Sequence, residues 1–269
     1  MNSSQNNPRL CKFFYEKGHC RKAEQCNFVH DKTIDYKSYQ NINRNQKPKH
    51  RRPKNTETFE PSFIPPDMRL IVETGGDKYP REHRTNDVIV VHNLFCDKDD
   101  MTIYDNLMDE ILSVNMDQDK LWKLWHGDTH LIVDDKMGWK DYCPTFNKVI
   151  KKIKDYFEID IKATRFNLYD DSTHWKPFHH DAAAVKKDKA LTQNITIGIS
   201  FGLEREVAFE HAKTKTVISL PLCNGSVYIF NKDVNIEWKH GILQMNPNNV
   251  IEKGRISIIA WGWVPMKDK

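Results

Sequence analysis

Four residues near the N-terminus have the types and spacing of a metal site. They are three cysteines and a histidine, Cys11, Cys20, Cys26 and His30, with gaps of eight, five and three residues between them. Three thiolates and one imidazole form a soft tetrahedral donor set that suits zinc, and zinc can fix a segment too short to bury a core of its own. We therefore expect residues 9–32 to form a small Zn(II) finger and residues 1–8 to be a disordered tail.

A second group of metal-ligand types lies in the C-terminal half. His179 and Asp181 form a His-x-Asp pair, and side chains two apart on a strand leave the same face. The stretch from this pair to His240 holds about five strand-plus-turn units at roughly ten residues each, so His240 could return beside the pair. Two imidazoles and one carboxylate form the facial triad of non-haem iron oxygenases, which leaves positions for a co-substrate and oxygen.

A His-x-Asp pair alone is weak evidence, because His126 and Asp128 have the same spacing. The neighbours of the later pair favour it. Tyr169 lies on the preceding predicted strand and Arg255 opens the last strand, and a buried arginine beside a tyrosine hydroxyl can clamp a carboxylate. If the co-substrate is 2-oxoglutarate, its far carboxylate meets Arg255 and Tyr169 while its keto-acid end chelates Fe(II). The alternative is that these are ordinary core and surface residues.

The elements that must position these residues are mainly strands. A β-branched run predicts a strand at 87–95, followed by a helix to residue 112. Proline at the start and one apolar face predict a helix over 144–157. Alternating apolar residues predict strands at 195–201, 216–220, 226–230 and 255–263. Helices followed by many short strands suggest a sheet sandwich or jelly roll with helices packed on one side.

Positive charge is concentrated before this β-rich region. Residues 1–58 contain 13 Lys and Arg against 5 Asp and Glu, whereas the remaining residues contain 28 against 32. Within residues 44–54, six of eleven are Lys or Arg, and two prolines break any helix. We expect residues 33–58 to be a flexible basic linker that contacts phosphates or acts as a nuclear import signal. A solvated linker without either role is the alternative.

Length and composition bound the remainder. Residues 59–269 are enough for one domain with its own core. No apolar run approaches membrane-spanning length, and the polar start MNSSQNNPRL lacks the apolar region of a secretory signal. We expect an intracellular protein, in the nucleus or the cytoplasm, with no membrane partner. Its remaining cysteines are expected to be free thiols packed as small apolar groups: Cys96, Cys143 and Cys223.

The N-terminal spacing resembles the tristetraprolin-type CCCH fingers, over about residues 9–31. That family binds single-stranded RNA, and the resemblance implies that Phe14 and Phe28 stack on bases. The alternative is that both rings only cover the zinc. Cationic side chains among aromatic stacking faces favour the binding of single-stranded nucleic acid. Four cationic residues surround these rings in the sequence: Lys12, Lys17, Arg21 and Lys22. The lead-in NNPRL lacks the family's basic and aromatic residues, which leaves the base preference open.

The C-terminal motifs resemble the AlkB-like iron and 2-oxoglutarate dioxygenases, over about residues 85–265. They are, in order, FNLYDD, HHD, ISFG followed by REVAFEH, NGSVYIF, WKHGI and GRISIIAWG. The resemblance implies a double-stranded β-helix with N-terminal helices that form a nucleotide-recognition lid. It places iron on His179, Asp181 and His240, and 2-oxoglutarate on Asn167, Tyr169 and Arg255. It also implies hydroxylation of a methyl group on nitrogen, followed by release of formaldehyde.

Two departures from that family affect the expected specificity. Where repair members have acidic residues after the His-x-Asp pair, this chain has alanine at 182–184. Repair of alkylated bases of that type is therefore not assured. Trp261 stands where the family usually has another arginine near the co-substrate. Arg165, on the face of Asn167 and Tyr169, could replace the missing charge, or Trp261 could pack in the core with Arg165 at the surface.

These features together predict a dioxygenase that demethylates bases of single-stranded RNA, or of DNA, delivered by the finger and the basic arm. One alternative is an RNA-binding regulator whose β domain is catalytically idle. Another is an oxygenase that hydroxylates a protein side chain. The sequence does not give the base, the modified atom or the oligomeric state.

Overall fold

The computed structural model describes residues 9–39, 67–125, 129–246, 248 and 253–268. The chain divides into two compact units, Met1–Ile64 and Pro65–Lys269. The basic run at 44–54 and most of the expected linker lie outside the described residues, as do His126 and Asp128. No helix in the described part of the chain is long and apolar enough to cross a membrane.

The first unit contains a finger made of short local elements. The helix Lys12–Lys17 directly follows Cys11 and ends at Gly18, whose φ of 73° is the left-handed conformation that glycine adopts at little cost. A 3-10 turn, Ala23–Gln25, precedes Cys26. These turns reverse the chain twice within a few residues, which lets ligands close in sequence converge on one point.

The packed part of the finger continues beyond residue 32. The ring of Tyr36 stacks on Tyr15 with centroids 4.8 Å apart, and the hydroxyl of Tyr15 donates a hydrogen bond to the carbonyl of Asp31. Residues 36–39 are helical. The segment after His30 therefore covers one side of the finger in a region that the sequence pattern predicts as linker.

The second unit combines two long helices with two sheets. The long helices are Thr102–Ser113 and Pro144–Phe157. The second has the predicted bounds, because Pro144 opens it and Glu158, at a φ of 52°, closes it. The shorter helices are Gln118–Leu121, Ala182–Val185, Lys187–Ala190 and Lys232–Glu237, with 3-10 turns at Asp135–Met137 and Trp139–Tyr142.

Most of the described secondary structure is β. The strands are β1 Arg69–Thr74, β2 His83–Arg84, β3 Asp87–His92, β4 Trp122–Leu124, β5 Leu131–Val133, β6 Asp160–Tyr169, β7 Lys176–His179, β8 Ile195–Gly202, β9 Arg205–His211, β10 Val217–Leu222, β11 Ser226–Asn231, β12 Trp238–Ile242, β13 Arg255–Trp263 and β14 Met266–Lys267. A large sheet has the order β1-β3-β11-β8-β13-β6-β5-β4, a smaller sheet has the order β10-β9-β12-β7, and β14 pairs with β2.

The large sheet is buried on both faces. On β11, Val227 and Ile229 belong to the cluster formed with the two long helices. Tyr228 and Phe230, on the opposite face of the same strand, pack against the smaller sheet. This period-two alternation confirms the predicted jelly roll with helices on one side. The zinc-binding cluster at the N-terminus confirms the small added finger.

One glycine of the large sheet is required by its neighbour on the next strand, because Gly198 on β8 pairs opposite Tyr228 on β11. A Cβ atom on Gly198 would lie 2.0 Å from the ring of Tyr228, which occupies the space beside β8. Tyr228 is 3% exposed and lines the gap between the sheets. Glycine at 198 therefore makes room for an aromatic wall of the site described below.

Two sequence-based boundaries need correction. The predicted strand at 87–95 ends at His92, and Asn93 follows with a φ of 54°, which is incompatible with a continued strand. The His-x-Asp pair does not lie wholly on a strand, because β7 ends at His179. Asp181 keeps an extended backbone but caps the short helix Ala182–Val185.

Candidate active site and zinc centre

The three predicted iron ligands converge at one end of the gap between the sheets. The register of β12 against β7 places His240 opposite His179, and β12 is the fifth strand after β7, as the spacing predicts. The nearer carboxylate oxygen of Asp181, Oδ1, lies 3.8 Å from Nε2 of His179 and 3.7 Å from Nε2 of His240. One ion can therefore contact all three groups.

The imidazole of His179 is oriented for metal binding. Its Nδ1 lies 2.8 Å from the carbonyl oxygen of Pro177 and so carries the proton, while its Nε2 is buried without a hydrogen-bond partner among the described residues. Burial, aided by the charge of Lys176, lowers the pKa of His179 to about 4. Burial also lowers the pKa of His240 well below its ordinary value. Both rings are therefore neutral at physiological pH and offer lone pairs to a cation.

Asp181 is held by groups that the sequence pattern does not connect to it. The indole Nε1 of Trp261 donates to its Oδ2 at 2.8 Å, and the hydroxyl of Thr196 donates to the same oxygen at 2.9 Å. The backbone N–H of Asp181 donates to the side chain of Asn235. Burial opposes ionisation of this carboxyl, but His240, Lys176 and the Trp261 bond outweigh it and lower its pKa. Two donors on Oδ2 leave Oδ1 directed towards the histidines.

Arg255 has the environment of a carboxylate clamp. It is 0% exposed, and its Nε donates to the hydroxyl of Ser200 at 2.8 Å. Its two terminal nitrogens are buried with no partner in the described part of the chain. Tyr169 lies opposite it across β6 and β13, with the guanidinium 5.1 Å from the ring centroid. A buried guanidinium with two unpaired donors is costly unless an anion completes it, so the pair fits one carboxylate of 2-oxoglutarate.

Asn167 is close to this clamp but its amide is already engaged. Its Nδ2 donates to the carbonyl of Ser257 at 2.8 Å, and its Oδ1 lies 3.2 Å from Nε2 of His130. Asn167 thus joins β6 to β13 and orients His130. Its predicted contact with the co-substrate stays a prediction.

Two further residues shape the clamp and were missed from the sequence. His130 is fully buried and stacks on Tyr169 with centroids 4.8 Å apart, and burial lowers its pKa to about 3. Arg205, 5.7 Å from the same ring, donates through Nη2 to the carbonyls of His174 and Leu243. Burial and the charge of Arg255 lower the pKa of Arg205 to about 10. Neither stands out in the sequence, because Arg205 lies between Glu204 and Glu206 and His130 directly follows Thr129.

The space beside the clamp is small. A cavity of about 10 Å³ lies among Tyr169, Lys176, His240 and Ser257, which is room for one water molecule. A five-carbon diacid therefore enters only when lining side chains move. Lys176 lines this cavity and also the larger one beyond it. Burial lowers the pKa of Lys176 to about 8.

The larger cavity opens on the other side of the metal ligands. It has a volume of about 470 Å³ and is lined by His179, Asp181 and the residues around them. Trp125 and Trp261 form part of its wall, together with Arg165. Arg165 lies between the two indoles, 4.1 Å from the ring centroid of Trp125 and 5.4 Å from that of Trp261. Trp261 thus bridges the metal-binding carboxylate and the arginine of the open cavity.

Two histidines near the site, His174 and His180, have structural contacts. Nδ1 of His174 accepts a hydrogen bond from the backbone of Asp170, and the carbonyl of His174 accepts one from Arg205. Nδ1 of His180 contacts the carbonyl of Asn235 at 2.7 Å. His174 therefore supports the loop before β7, and His180 ties the segment after β7 to the helix Lys232–Glu237.

The four predicted zinc ligands also converge. Their donor atoms all lie within 4.8 Å of one another. Cys11 is buried, and Nε2 of His30 is buried without a partner in the described part of the chain. Leu10 and Val29 form a parallel bridge that holds the ends of the finger together. The backbone N–H of Lys22 lowers the pKa of the Cys20 thiol, which favours the thiolate that zinc requires.

The aromatic residues of the finger differ in exposure. Phe14 is half-buried and stacks on the ligand His30, with centroids 4.5 Å apart and planes 7° from parallel. Phe28 is 47% exposed, and Phe13, which the sequence pattern did not single out, is 60% exposed. Lys17 lies 5.9 Å from the ring of Phe13. Phe13 and Phe28 therefore offer free faces, whereas Phe14 already covers a zinc ligand; base stacking by Phe14 and Phe28 stays a prediction.

A jelly roll that holds two histidines and an aspartate beside a buried arginine clamp defines an iron- and 2-oxoglutarate-dependent oxygenase. The family model described as the 2OG-Fe(II) oxygenase superfamily matches residues 104–260, more than half of the chain. The chain belongs to this superfamily and is a 2-oxoglutarate-dependent dioxygenase. A second model, for zinc fingers of the C-x8-C-x5-C-x3-H type, matches residues 7–32. Fe(II), 2-oxoglutarate and Zn(II) are the groups that these two matches imply.

Comparison with solved structures gives 181 matching chains. One of them, described as "The structure of OsALKBH1", has a TM-score of 0.45 and 13% identity, and the match covers 68% of this chain and 100% of that chain. No curated protein matches the sequence.

Proposed function

We propose that this dioxygenase is of the AlkB type and removes methyl groups from bases of single-stranded RNA by oxidation, with DNA as a further substrate. Fe(II) and 2-oxoglutarate, when bound, supply the oxidation of a substrate methyl group by O₂. The supporting observation is the open cavity of about 470 Å³ beside His179 and Asp181. We also place the protein inside the cell, in the nucleus or the cytoplasm.

The walls of this cavity suit a flipped-out nucleotide. Ligand pockets commonly range from about 300 to about 1,000 Å³, so a base and part of its sugar fit. The indoles of Trp125 and Trp261, with the guanidinium of Arg165 between them, form a wall of flat groups beside which a base can lie. Lys186 and Lys189, which are exposed at the rim, can contact phosphates on either side of an extruded nucleotide. The chain's own residues thus bind and orient the strand beside the metal ligands.

The finger supports RNA as the substrate class. Its exposed Phe13 and Phe28, with nearby lysines, combine stacking faces and cations. A tethered single-strand binder raises the local concentration of unpaired substrate at the active site. The finger therefore lowers the RNA concentration needed for turnover and leaves the chemical step unchanged.

The test uses the full chain reconstituted anaerobically with Zn(II) and Fe(II). The protein is mixed with 2-oxoglutarate, O₂ and a set of methylated RNA and DNA oligonucleotides, and succinate, formaldehyde and the mass of each oligonucleotide are measured. We expect formaldehyde in equal amount to the succinate formed above the substrate-free background, with loss of a methyl group from one class of base. An oligonucleotide set that yields no formaldehyde, while a peptide library gains oxygen, assigns the enzyme to protein hydroxylation instead.

Two variants separate the roles of the two units. Cys20→Ala should raise the KM for long RNA and leave turnover of 2-oxoglutarate without substrate intact. If the wild-type chain formed no succinate from 2-oxoglutarate, while Cys20→Ala removed its RNA binding, the β domain would be a passive scaffold. The matched control is Cys223→Ala, which changes a thiol outside the finger.

A further inference from the structure

Resting on the proposed function, we propose that the open cavity selects methylated bases without charge and excludes methylated bases that are cationic. Methylation at N1 of adenine or N3 of cytosine gives a base that is a cation at neutral pH. Methylation at the exocyclic N6 of adenine or at N3 of uracil gives a neutral base. We assign the discrimination chiefly to Arg165.

The described residues that line the cavity carry an excess of positive charge. The cations are Arg165, Lys176, Lys186 and Lys189, and the one carboxylate among them is Asp181. Asp181 already accepts hydrogen bonds from Trp261 and Thr196 and faces the two histidines. A bound divalent ion and the 2-oxoglutarate dianion bound with it cancel each other in charge, so the excess of positive charge comes from the side chains of the wall. A cationic base entering this space therefore meets repulsion from these side chains.

Arg165 is the cation best placed to act on the base itself. It is held at a fixed depth between two indoles. Among the described residues it makes no ion pair or hydrogen bond, and the carboxylates that influence it are Asp135 and Asp181. Asp135 is paired with Lys140 at 2.8 Å. The charge of Arg165 is therefore available to the cavity, and its NH groups can donate to acceptor atoms of a neutral base.

The helix directly after the predicted metal ligands supplies no opposing charge, and the next carboxylate along the chain, Asp188, lies 4.0 Å from Lys189. Ala182 lines the cavity, and the helix Ala182–Val185 contains no acidic residue. The exposed Lys186 follows directly. Lys186 and Lys189 lie at the rim, where the anionic backbone of a strand would pass. The cavity is thus suited to a substrate that is negative in its backbone and uncharged in its base.

The expected discrimination is large. Two like charges about 5 Å apart in a medium of effective dielectric constant near 20 repel strongly enough to change an equilibrium by roughly 300-fold. We therefore expect kcat/KM for a neutral base to exceed that for the matched cation by about 30-fold or more, since partial screening at the open mouth reduces the effect.

The experiment compares oligonucleotides of identical sequence that differ in one base. The first pair carries N6-methyladenine, which is neutral, or its isomer N1-methyladenine, which is cationic. The second pair carries N3-methyluracil or N3-methylcytosine, which share the methyl position. Formaldehyde release is measured with the iron-loaded full chain. Affinity is measured separately by fluorescence anisotropy with Mn(II) and 2-oxoglutarate under anaerobic conditions, so that binding is reported without turnover.

Tighter binding of the neutral member in at least one pair, with no preference for the cation in the other, supports the proposal. Equal or tighter binding of the cationic members overturns it, even if demethylation is confirmed. Binding discrimination without any formaldehyde leaves charge selection standing and contradicts the proposed reaction.

Three variants test Arg165. Arg165→Gln should reduce the preference for neutral bases by about tenfold, whereas Arg165→Lys, which keeps the charge, should retain most of it. Lys213→Gln, at an exposed turn between β9 and β10, is the control for a change of net charge. Equal loss of discrimination in Arg165→Gln and Arg165→Lys, or an equal loss in Lys213→Gln, would show that charge at Arg165 is not the cause. Melting temperatures identify any variant that fails to fold.

Discussion

The two metal centres of this chain are built in opposite ways. The predicted zinc ligands lie within one short segment and meet through local turns, with a bridge between Leu10 and Val29. The predicted iron ligands lie on or beside two strands and meet because His240 pairs opposite His179. The zinc site therefore replaces a core, whereas the iron site depends on a core that already exists. We expect metal removal to unfold the first centre and only to inactivate the second.

The largest expected effect is on the finger. Structural zinc contributes about 10–16 kcal/mol to the folding of such modules, so Cys11→Ala should unfold residues 9–39. The melting temperature of the second unit should stay the same, because its core is independent of zinc. Its rate of 2-oxoglutarate turnover should change by less than about twofold. Zinc content, calorimetry and succinate formation measure these effects.

The control for this change is Cys223→Ala, which removes a half-buried thiol of the second unit. Loss of the calorimetric transition of the second unit in Cys11→Ala would mean that the two units share one cooperative core.

The reverse experiment removes an iron ligand. His179→Ala should weaken Fe(II) binding by more than about 100-fold, the upper end of what loss of a ligand's hydrogen-bond partner costs, and turnover of 2-oxoglutarate should fall to background. Zinc content and RNA binding should persist. His211→Ala, whose ring bonds Thr214 in a turn, is the matched control. Substantial succinate formation by His179→Ala would remove this residue from the metal site.

Arg255 should show a conflict between stability and function. Replacement by methionine, Arg255→Met, removes a buried charge with two unpaired donors, so the free energy of unfolding should stay constant or rise by about 1 kcal/mol. The affinity for 2-oxoglutarate should fall by about 2–5 kcal/mol, the usual cost of deleting one member of a buried charge pair. Denaturant titration and isothermal calorimetry measure the two quantities.

The comparison variant is Arg255→Lys, which retains a charge but not the planar fork, and should lose most of the affinity as well. A strongly destabilised Arg255→Met with unchanged affinity for 2-oxoglutarate would show that the arginine is structural.

The smallest effect concerns the orientation of Asp181. Trp261→Phe deletes the indole donor and Thr196→Val deletes the hydroxyl donor to the same oxygen. Each should weaken Fe(II) binding by about 10- to 100-fold, with the double variant less than additive because the two donors share one acceptor. Additive or negligible losses, measured by competition with a metal indicator, would contradict this account.

The sequence predicted the individual elements well where one pattern dominates. The helix Pro144–Phe157 and the strand Arg255–Trp263 have the predicted bounds, because proline and clear periodicity mark them. The strand at β3 was predicted too long, since hydrophobicity continues through Leu94 after the backbone has turned at Asn93. Periodicity reports which face of a segment is apolar, but it does not report where the backbone leaves the sheet.

By itself the sequence predicted the two ligand sets, whose donor atoms the structure brings together, because a metal demands particular residue types and the jelly roll fixes roughly how many strands separate them. Only the tertiary structure decided that Trp261 bonds Asp181, that His130 stacks on Tyr169, and that Arg165 lies between two indoles. These contacts join residues on different strands or loops, and they depend on which faces meet across the gap between the sheets. The spacing of residues along the chain does not predict these contacts, because sheet register and packing are set by the whole core.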